Sequence, residues 1–338
     1  MPAIPTPLDI RVSLDPVLER IESELGRISG ELRAACAHLF HAGGKGVRPT
    51  LVILSARAAR EAMRIARNGT GDPNETSCPD AVYDVAAAAE IIHVASLIHD
   101  DVIDGADTRR DRPSVNARWN NHTAVLAGDC LFAAAFRLLA PHAALGAVTL
   151  MTEAIADMCR GEVLQRLQAY DPDVTEQTYA ERIGGKTAAL IAACCEAGAR
   201  LQGAGHAFAR ALRDFGRNLG LAYQVVDDVL DFDGSPEKMG KPACADLKEG
   251  NLTLPVIYLL RNPAWRDRLA PCIRERRIDA DTVALVNDGL RATGALEAAL
   301  SYGKALAREA VRCLGPLTPT ACGRRLAALA YSAVDREA

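Results

Sequence analysis

Residues 89–110 read AEIIHVASLIHDDVIDGADTRR, an apolar stretch that ends in Asp100, Asp101 and Asp104. Its apolar part has the periodicity of a helix, expected over 80–104. On such a helix the first and last aspartates, four apart, lie one above the other on one face. They also lie at the C-terminal end, where the helix dipole disfavours negative charge. Three carboxylates stacked there cost stability unless a positive charge occupies the space. Residues 219–234, LGLAYQVVDDVLDFDG, repeat the pattern with Asp227, Asp228 and Asp231. Both clusters are DDxxD. One alone would pass as a solvated acidic helix end, but two, each following an apolar helix, call for a ligand. If the helix ends face each other, their carboxylates line one cavity. Oxygen ligands of this density suit Mg²⁺, which keeps several waters and is completed by substrate phosphates.

The rest of the chain has the same helical character. Alanine, the best helix former, is abundant, and aromatics are only 4% of the 338 residues. Asp15 followed by Pro16 reads as an N-cap with proline at the first helical position. Leu18, Ile21, Leu25 and Ile28 then follow at spacings of three and four. Further helices are expected near 31–42, 49–66, 122–140, 144–170, 175–200, 205–232, 252–261, 281–291, 295–314 and 319–335. Residues 68–79, NGTGDPNETSCP, read as a loop. Segments with the alternation of strands are absent. The fold expected is one all-α domain over 1–338, with 1–14 a flexible N-terminal segment.

A formal net charge of -4 leaves no electrostatic footprint for nucleic acid. The N-terminus lacks the pattern of a secretory signal, and no run approaches the roughly 18 uninterrupted apolar residues of a membrane span. A cytoplasmic protein is expected, with transient membrane contact through a greasy product. Ten cysteines show no CxxC spacing and read as reduced, mostly buried thiols.

Cations accompany the aspartates. HAGGKGVRPTLV, residues 41–52, places Lys45 and Arg48 in a glycine turn before a helix expected to start near Pro49, a natural anion site. Arg109 and Arg110 follow the first cluster. Lys186 sits in GGKT, and Lys241 lies in GKPACADLKEGNLTLP, residues 240–255. Together they supply positive charge beside both clusters, as a site for two diphosphates requires.

These motifs, in this order, resemble those of the trans-isoprenyl diphosphate synthases, the polyprenyl synthetase family, from about residue 15 to the C-terminus. The resemblance implies an all-α bundle around a deep central cavity, usually dimeric and in some members dependent on a small helper subunit. It implies that Asp100, Asp104 and Asp227 bind Mg²⁺, three ions once substrate is present, with Asp101, Asp228 and Asp231 supporting. Lys45, Arg48, His93 and Arg110 would hold isopentenyl diphosphate. Arg109, Lys186, Thr187, Gln224 and Lys241 would hold the allylic diphosphate, farnesyl or geranylgeranyl diphosphate. Read alone, His93 would be a satisfied core histidine; the similarity of IIHVASLIHDD to the family motif reverses that. Two departures stand out: Gly46 where the family often has arginine, and Asn251 where it often has lysine or arginine.

The chemistry implied is ionisation of the allylic diphosphate, condensation with isopentenyl diphosphate, and elimination of a proton. A terpene cyclase also uses DDxxD, but it has little need for Lys45, Arg48 and Arg110. GGKGVRP likewise fits a squalene-synthase-like enzyme poorly. A non-catalytic partner subunit would characteristically lose aspartates, and all six are present. An aspartate-bearing subunit of a heteromer and a farnesyl or geranylgeranyl diphosphate synthase remain as alternatives. Product length is read from the helix before Asp100. Ser96 and Ala95 are small where makers of short products carry an aromatic residue, and Ile92 is the first sizeable side chain further down. Ala133, Ala134 and Ala135 are expected across the cavity, although such alanines also serve close helix packing. A product longer than geranylgeranyl diphosphate, hexaprenyl or heptaprenyl, is expected.

Overall fold

The computed structural model describes residues 12–40, 43, 46–67, 80–110, 112–233 and 244–335. Helices dominate them, as the periodicity implies. They are α1 Asp15–Gly26, α2 Gly30–His38, α3 Val47–Ala66, α4 Asp80–Ile103, α5 Val115–Arg118 and α6 Asn121–Leu139. Then come α7 Ala147–Leu167, α8 Glu176–Ile183, α9 Ala189–Arg200, α10 His206–Asp233 and α11 Ala245–Lys248. The last five are α12 Leu254–Leu259, α13 Pro263–Arg274, α14 Ala280–Thr293, α15 Ala295–Cys313 and α16 Ala321–Val334. Among the described residues the strands are β1 Thr108–Arg109 and β2 Arg112–Pro113, an antiparallel pair.

The chain divides into two compact units. The first comprises Met1–Glu153, Ala193–Arg213 and Leu314–Leu326, and the second Ala154–Ala192, Asp214–Cys313 and Ala327–Ala338. In the first, α4 packs against α1, α3 and α6, and Ile91, Ile92, Ile98, Leu131 and Leu139 are fully buried. α4 is long and apolar enough to cross a membrane, yet 61% of its most apolar window is buried within the fold, so it is the core helix of this unit. The same test selects Asn121–Leu145, of which only 39% is buried. In the second unit, Tyr179, Val225, Leu252, Leu259, Leu269 and Leu290 belong to one core cluster.

Several expectations need correction. Asp15 is the first residue of α1 and Leu14 its N-cap, which puts Pro16 in the second position. α3 begins at Val47, so Arg48 lies in its first turn and not in the preceding loop. The helix expected over 175–200 is interrupted by a π-helical turn, Gly184–Ala188. That expected over 144–170 is preceded by a 3₁₀ segment, Ala140–Leu145. α13 lies where no helix was expected: Asn262 caps it and Pro263 opens it, but Pro271 and a run of arginines obscure its periodicity.

Candidate active site

Asp100, Asp101 and Asp104 stand where α4 ends. Gly105, at φ +63°, closes the helix, and the Ala106 amide donates to the Asp101 carbonyl at 2.9 Å. This glycine cap fixes where the cluster stops. Asp100 is half-buried and Asp104 exposed, whereas Asp101 is fully buried. Arg109 donates to Asp101 Oδ1 from Nε at 2.8 Å and from Nη2 at 2.5 Å. The guanidinium read as an allylic-diphosphate ligand is thus turned to the cluster itself.

Arg110 occupies a left-handed conformation, φ 53°, and its Nη1 donates to the Gly43 carbonyl. The glycine turn before α3 and the hairpin after α4 therefore meet at this arginine. Lys45 lies outside the described residues. His93, half-buried on α4, faces a cationic surround: burial, then Arg48, Arg110 and Arg109, hold its imidazole well below the ordinary value. It is a neutral donor or acceptor at pH 7. One turn earlier, Glu90 has its carboxyl raised by burial, against the opposing pull of Arg48 and Arg110. Glu90 escaped the sequence reading, and its only signal was its place three residues before His93.

On the same helix Ala95 and Ile92 are fully buried, while Ser96 is half-buried and donates from Oγ to the His93 carbonyl at 2.8 Å. His99 is pinned towards α6, its Nε2 3.1 Å from the Val125 carbonyl.

The second cluster belongs to α10. Asp227 is half-buried; Asp228 and Asp231 are buried. Asp231 Oδ1 accepts from the Ala245 amide at 3.2 Å, tying α10 to the start of α11. Asp228 accepts from the Tyr179 hydroxyl at 2.7 Å and from Gln224 Nε2 at 2.8 Å. Burial, reinforced by the Asp246 charge, pushes the Asp228 carboxyl up to about 7, against the pull of those two donors and of Arg182. Gln224 in turn accepts from Thr187 Oγ1 at 2.8 Å.

Lys186 and Thr187 project from the π-helical turn, a feature frequent at functional sites. Lys186 Nζ lies 2.7 Å from Glu162 Oε2 on α7. A Cβ on Gly161 would stand 2.2 Å from the Lys186 amide nitrogen, and one on Gly185 2.7 Å from the Asp157 carbonyl oxygen. These two glycines thus serve a close crossing of two backbones. Lys241 lies outside the described residues. Asn251 Nδ2 is 3.5 Å from Glu249 Oε2.

Among the described residues no three His, Cys, Asp or Glu side chains converge as a ready-made metal site. The donor set nevertheless suits a hard cation completed by phosphate oxygens. In the first unit Asp100 and Asp104 are carboxylates one helical turn apart, and in the second Asp227 is a partly accessible carboxylate.

Comparison with known proteins agrees with this chemistry. The family model described as polyprenyl synthetase matches residues 29–288. Heptaprenyl diphosphate synthase component 2 of Geobacillus stearothermophilus is 38% identical over 284 residues, covering 84% of this chain and 83% of that protein. Octaprenyl diphosphate synthase of Escherichia coli is 32% identical over 95% of this chain and 94% of its own length. Among solved structures, the polyprenyl synthase of Caulobacter crescentus, complexed with calcium and isoprenyl diphosphate, is similar at a TM-score of 0.82. It is 33% identical, and the match covers 96% of this chain and 98% of that one.

Proposed function

Since the chain belongs to the polyprenyl synthetase family and is a trans-prenyltransferase, we propose that it extends farnesyl or geranylgeranyl diphosphate with isopentenyl diphosphate. The product proposed is longer than geranylgeranyl diphosphate, most specifically hexaprenyl or heptaprenyl diphosphate. One observation carries the reaction: each aspartate cluster has its own cationic or hydrogen-bonding set within its own unit. In the first, Arg48, Arg110 and Arg109 act on His93, two turns before Asp100 on α4; in the second, Thr187, next to Lys186, is linked through Gln224 to Asp228, the neighbour of Asp227.

Asp100, Asp104 and Asp227 would hold Mg²⁺, which, when bound, neutralises the departing diphosphate. Arg48, Arg110 and neutral His93, with Lys45, hold isopentenyl diphosphate by its phosphates. Lys186, released from Glu162, takes the allylic diphosphate at the turn that Thr187 anchors to Gln224, and Lys241 is assigned to the same diphosphate. Arg109 holds the buried Asp101 side chain through two hydrogen bonds and would lend positive charge to the departing group. Fixed donors of this kind stabilise charge where it develops and require little rearrangement during reaction. The released diphosphate, formed beside the new cation, accepts the final proton. Ser96, small and half-buried beside the buried Ala95, leaves room for a tail longer than four isoprene units to pass that level of α4. The names of the heptaprenyl and octaprenyl relatives support this length.

We further propose a cytoplasmic homodimer. The support for the dimer is the exposure of Val125 and Leu126 on the apolar helix α6. A second reading follows from a relative's name: heptaprenyl synthase component 2 belongs to an enzyme of more than one chain. The purified chain, given labelled isopentenyl diphosphate, farnesyl diphosphate and Mg²⁺, decides between them. Hexaprenyl or heptaprenyl product supports the proposal. Product ending at geranylgeranyl diphosphate rejects its length, and activity that appears only with a second protein favours the heteromer.

A further inference from the structure

We propose that Tyr179 is a positioning residue for the allylic-diphosphate side of the site, acting through the carboxylate of Asp228. This rests on the prenyltransferase reading above. Tyr179 is fully buried on α8, and its hydroxyl donates to Asp228 Oδ2 at 2.7 Å. Gln224 Nε2 donates to Asp228 Oδ1 at 2.8 Å, and Thr187 Oγ1 donates to Gln224 Oε1 at 2.8 Å. The direction of every bond follows from the next. In its ionised form Asp228 only accepts, and the Gln224 amide then turns its NH₂ to Asp228 and its oxygen to Thr187. That in turn commits the Thr187 hydroxyl proton to Gln224.

The relay runs from α8 through α10 to the π-helical turn. With both oxygens of Asp228 taken by protein donors, this carboxylate is a fixed point. Asp227, one residue earlier, projects about 100° away around α10. Thr187 neighbours Lys186, so one chain of bonds sets the geometry of the second cluster and of its cationic turn.

Tyr179 is itself held firmly. Thr175 and Thr178 form a reciprocal capping box at the start of α8. Arg182 stacks over the Tyr179 ring at 5.3 Å to its centroid and donates from Nη2 to the Leu252 carbonyl at 2.8 Å. A phenylalanine would fill the same space. Only the hydroxyl is needed for the relay, and it reaches no substrate position directly. Arg48, His93 and Arg110 take no part in it, so the isopentenyl side should be insulated from its loss.

The test is Tyr179→Phe, read by calorimetric titration of farnesyl thiolodiphosphate with Mg²⁺ and by steady-state kinetics. Hydrogen bonds to charged groups set the scale. The variant should bind the analogue about tenfold more weakly. KM for farnesyl diphosphate should rise and kcat fall by about tenfold each, with KM for isopentenyl diphosphate within about twofold of wild type. Asp228→Asn keeps an acceptor for Tyr179 but turns an amide towards Gln224, and should reproduce the pattern even if Tyr179→Phe does not fold. The double variant should lose no more than the worse single one. Wild-type-like binding and turnover in both single variants overturns the assignment, as does an equal shift in both KM values. A wild-type chain that fails to bind the analogue rejects the proposed allylic substrate, and the assignment with it, whereas one that binds it but needs a second protein for turnover leaves the binding test in force.

Discussion

Asp101, Asp228 and Asp231 are buried, whereas Asp100 and Asp227 are half-buried and Asp104 is exposed. A buried carboxylate bonded to Arg109, Tyr179 or the Ala245 amide organises its helix end; a partly exposed one can be reached by an incoming cation. Asp100→Ala and Asp227→Ala should therefore each lower turnover by orders of magnitude with an unchanged far-ultraviolet circular dichroism spectrum, because both side chains are only half-buried. Near-native turnover in either would refute the metal assignment. His93 gives a second prediction. Its imidazole is held well below the ordinary 6.5 by burial and by Arg48, Arg110 and Arg109. The unfolded chain takes up this proton as pH falls through that value and the folded chain does not. Stability is therefore full above the unfolded value and declines below it, by at most about 1.4 kcal/mol per pH unit. His93→Gln should flatten this acid limb in thermal midpoints measured from about pH 7.5 to about pH 5; identical limbs would show that His93 titrates normally.

At the scale of elements, the periodicity of α4 and α10 was legible, because long apolar helices with a terminal acidic cluster have few other readings. The π-helical turn was not, since one extra residue per turn is invisible in a sliding window. Tyr179 was equally hidden: nothing in its local sequence announces a partner 49 residues away. Gly46, noted in the sequence only as a missing arginine, has a physical reason in α3. It is the N-cap at φ +57°, and a Cβ there would lie 2.5 Å from Leu14 Cδ1. Gly46→Ala should thus destabilise the protein by about 1–2 kcal/mol, the cost of a left-handed backbone with a side chain, measurable by urea unfolding. An unchanged midpoint would mean the turn relaxes freely. α4 also carries the length prediction. Ala95→Phe should shift product to farnesyl or geranylgeranyl diphosphate. Ser96→Phe, at a half-buried position, introduces the same ring with less overpacking. Product chromatography unchanged in both variants would reject α4 as the floor.

For the whole molecule, composition excluded nucleic acid and pointed to helices, but it held no information on assembly. The exposed Val125 and Leu126 on α6 supply a surface-level reason to expect self-association. Light scattering on the isolated chain should give twice the 36.0 kDa chain mass. Val125→Lys with Leu126→Lys should shift it towards one chain mass, since charge at the centre of an apolar interface is costly. A folded monomer that gains activity only with a second protein would replace the homodimer by the heteromer.

The crossing of Gly161 and Gly185 also constrains how this protein can change over generations. With 2.2 Å and 2.7 Å to the opposing backbone from the two virtual side chains, neither glycine has a tolerated single replacement. A compensating change at the other position cannot help either, because it can only remove atoms that are already absent. In a saturation-mutagenesis map the pair should appear as two isolated intolerant columns without mutual rescue. Drift elsewhere in α7 and α9 must then proceed around a fixed contact, as wear proceeds around a rivet.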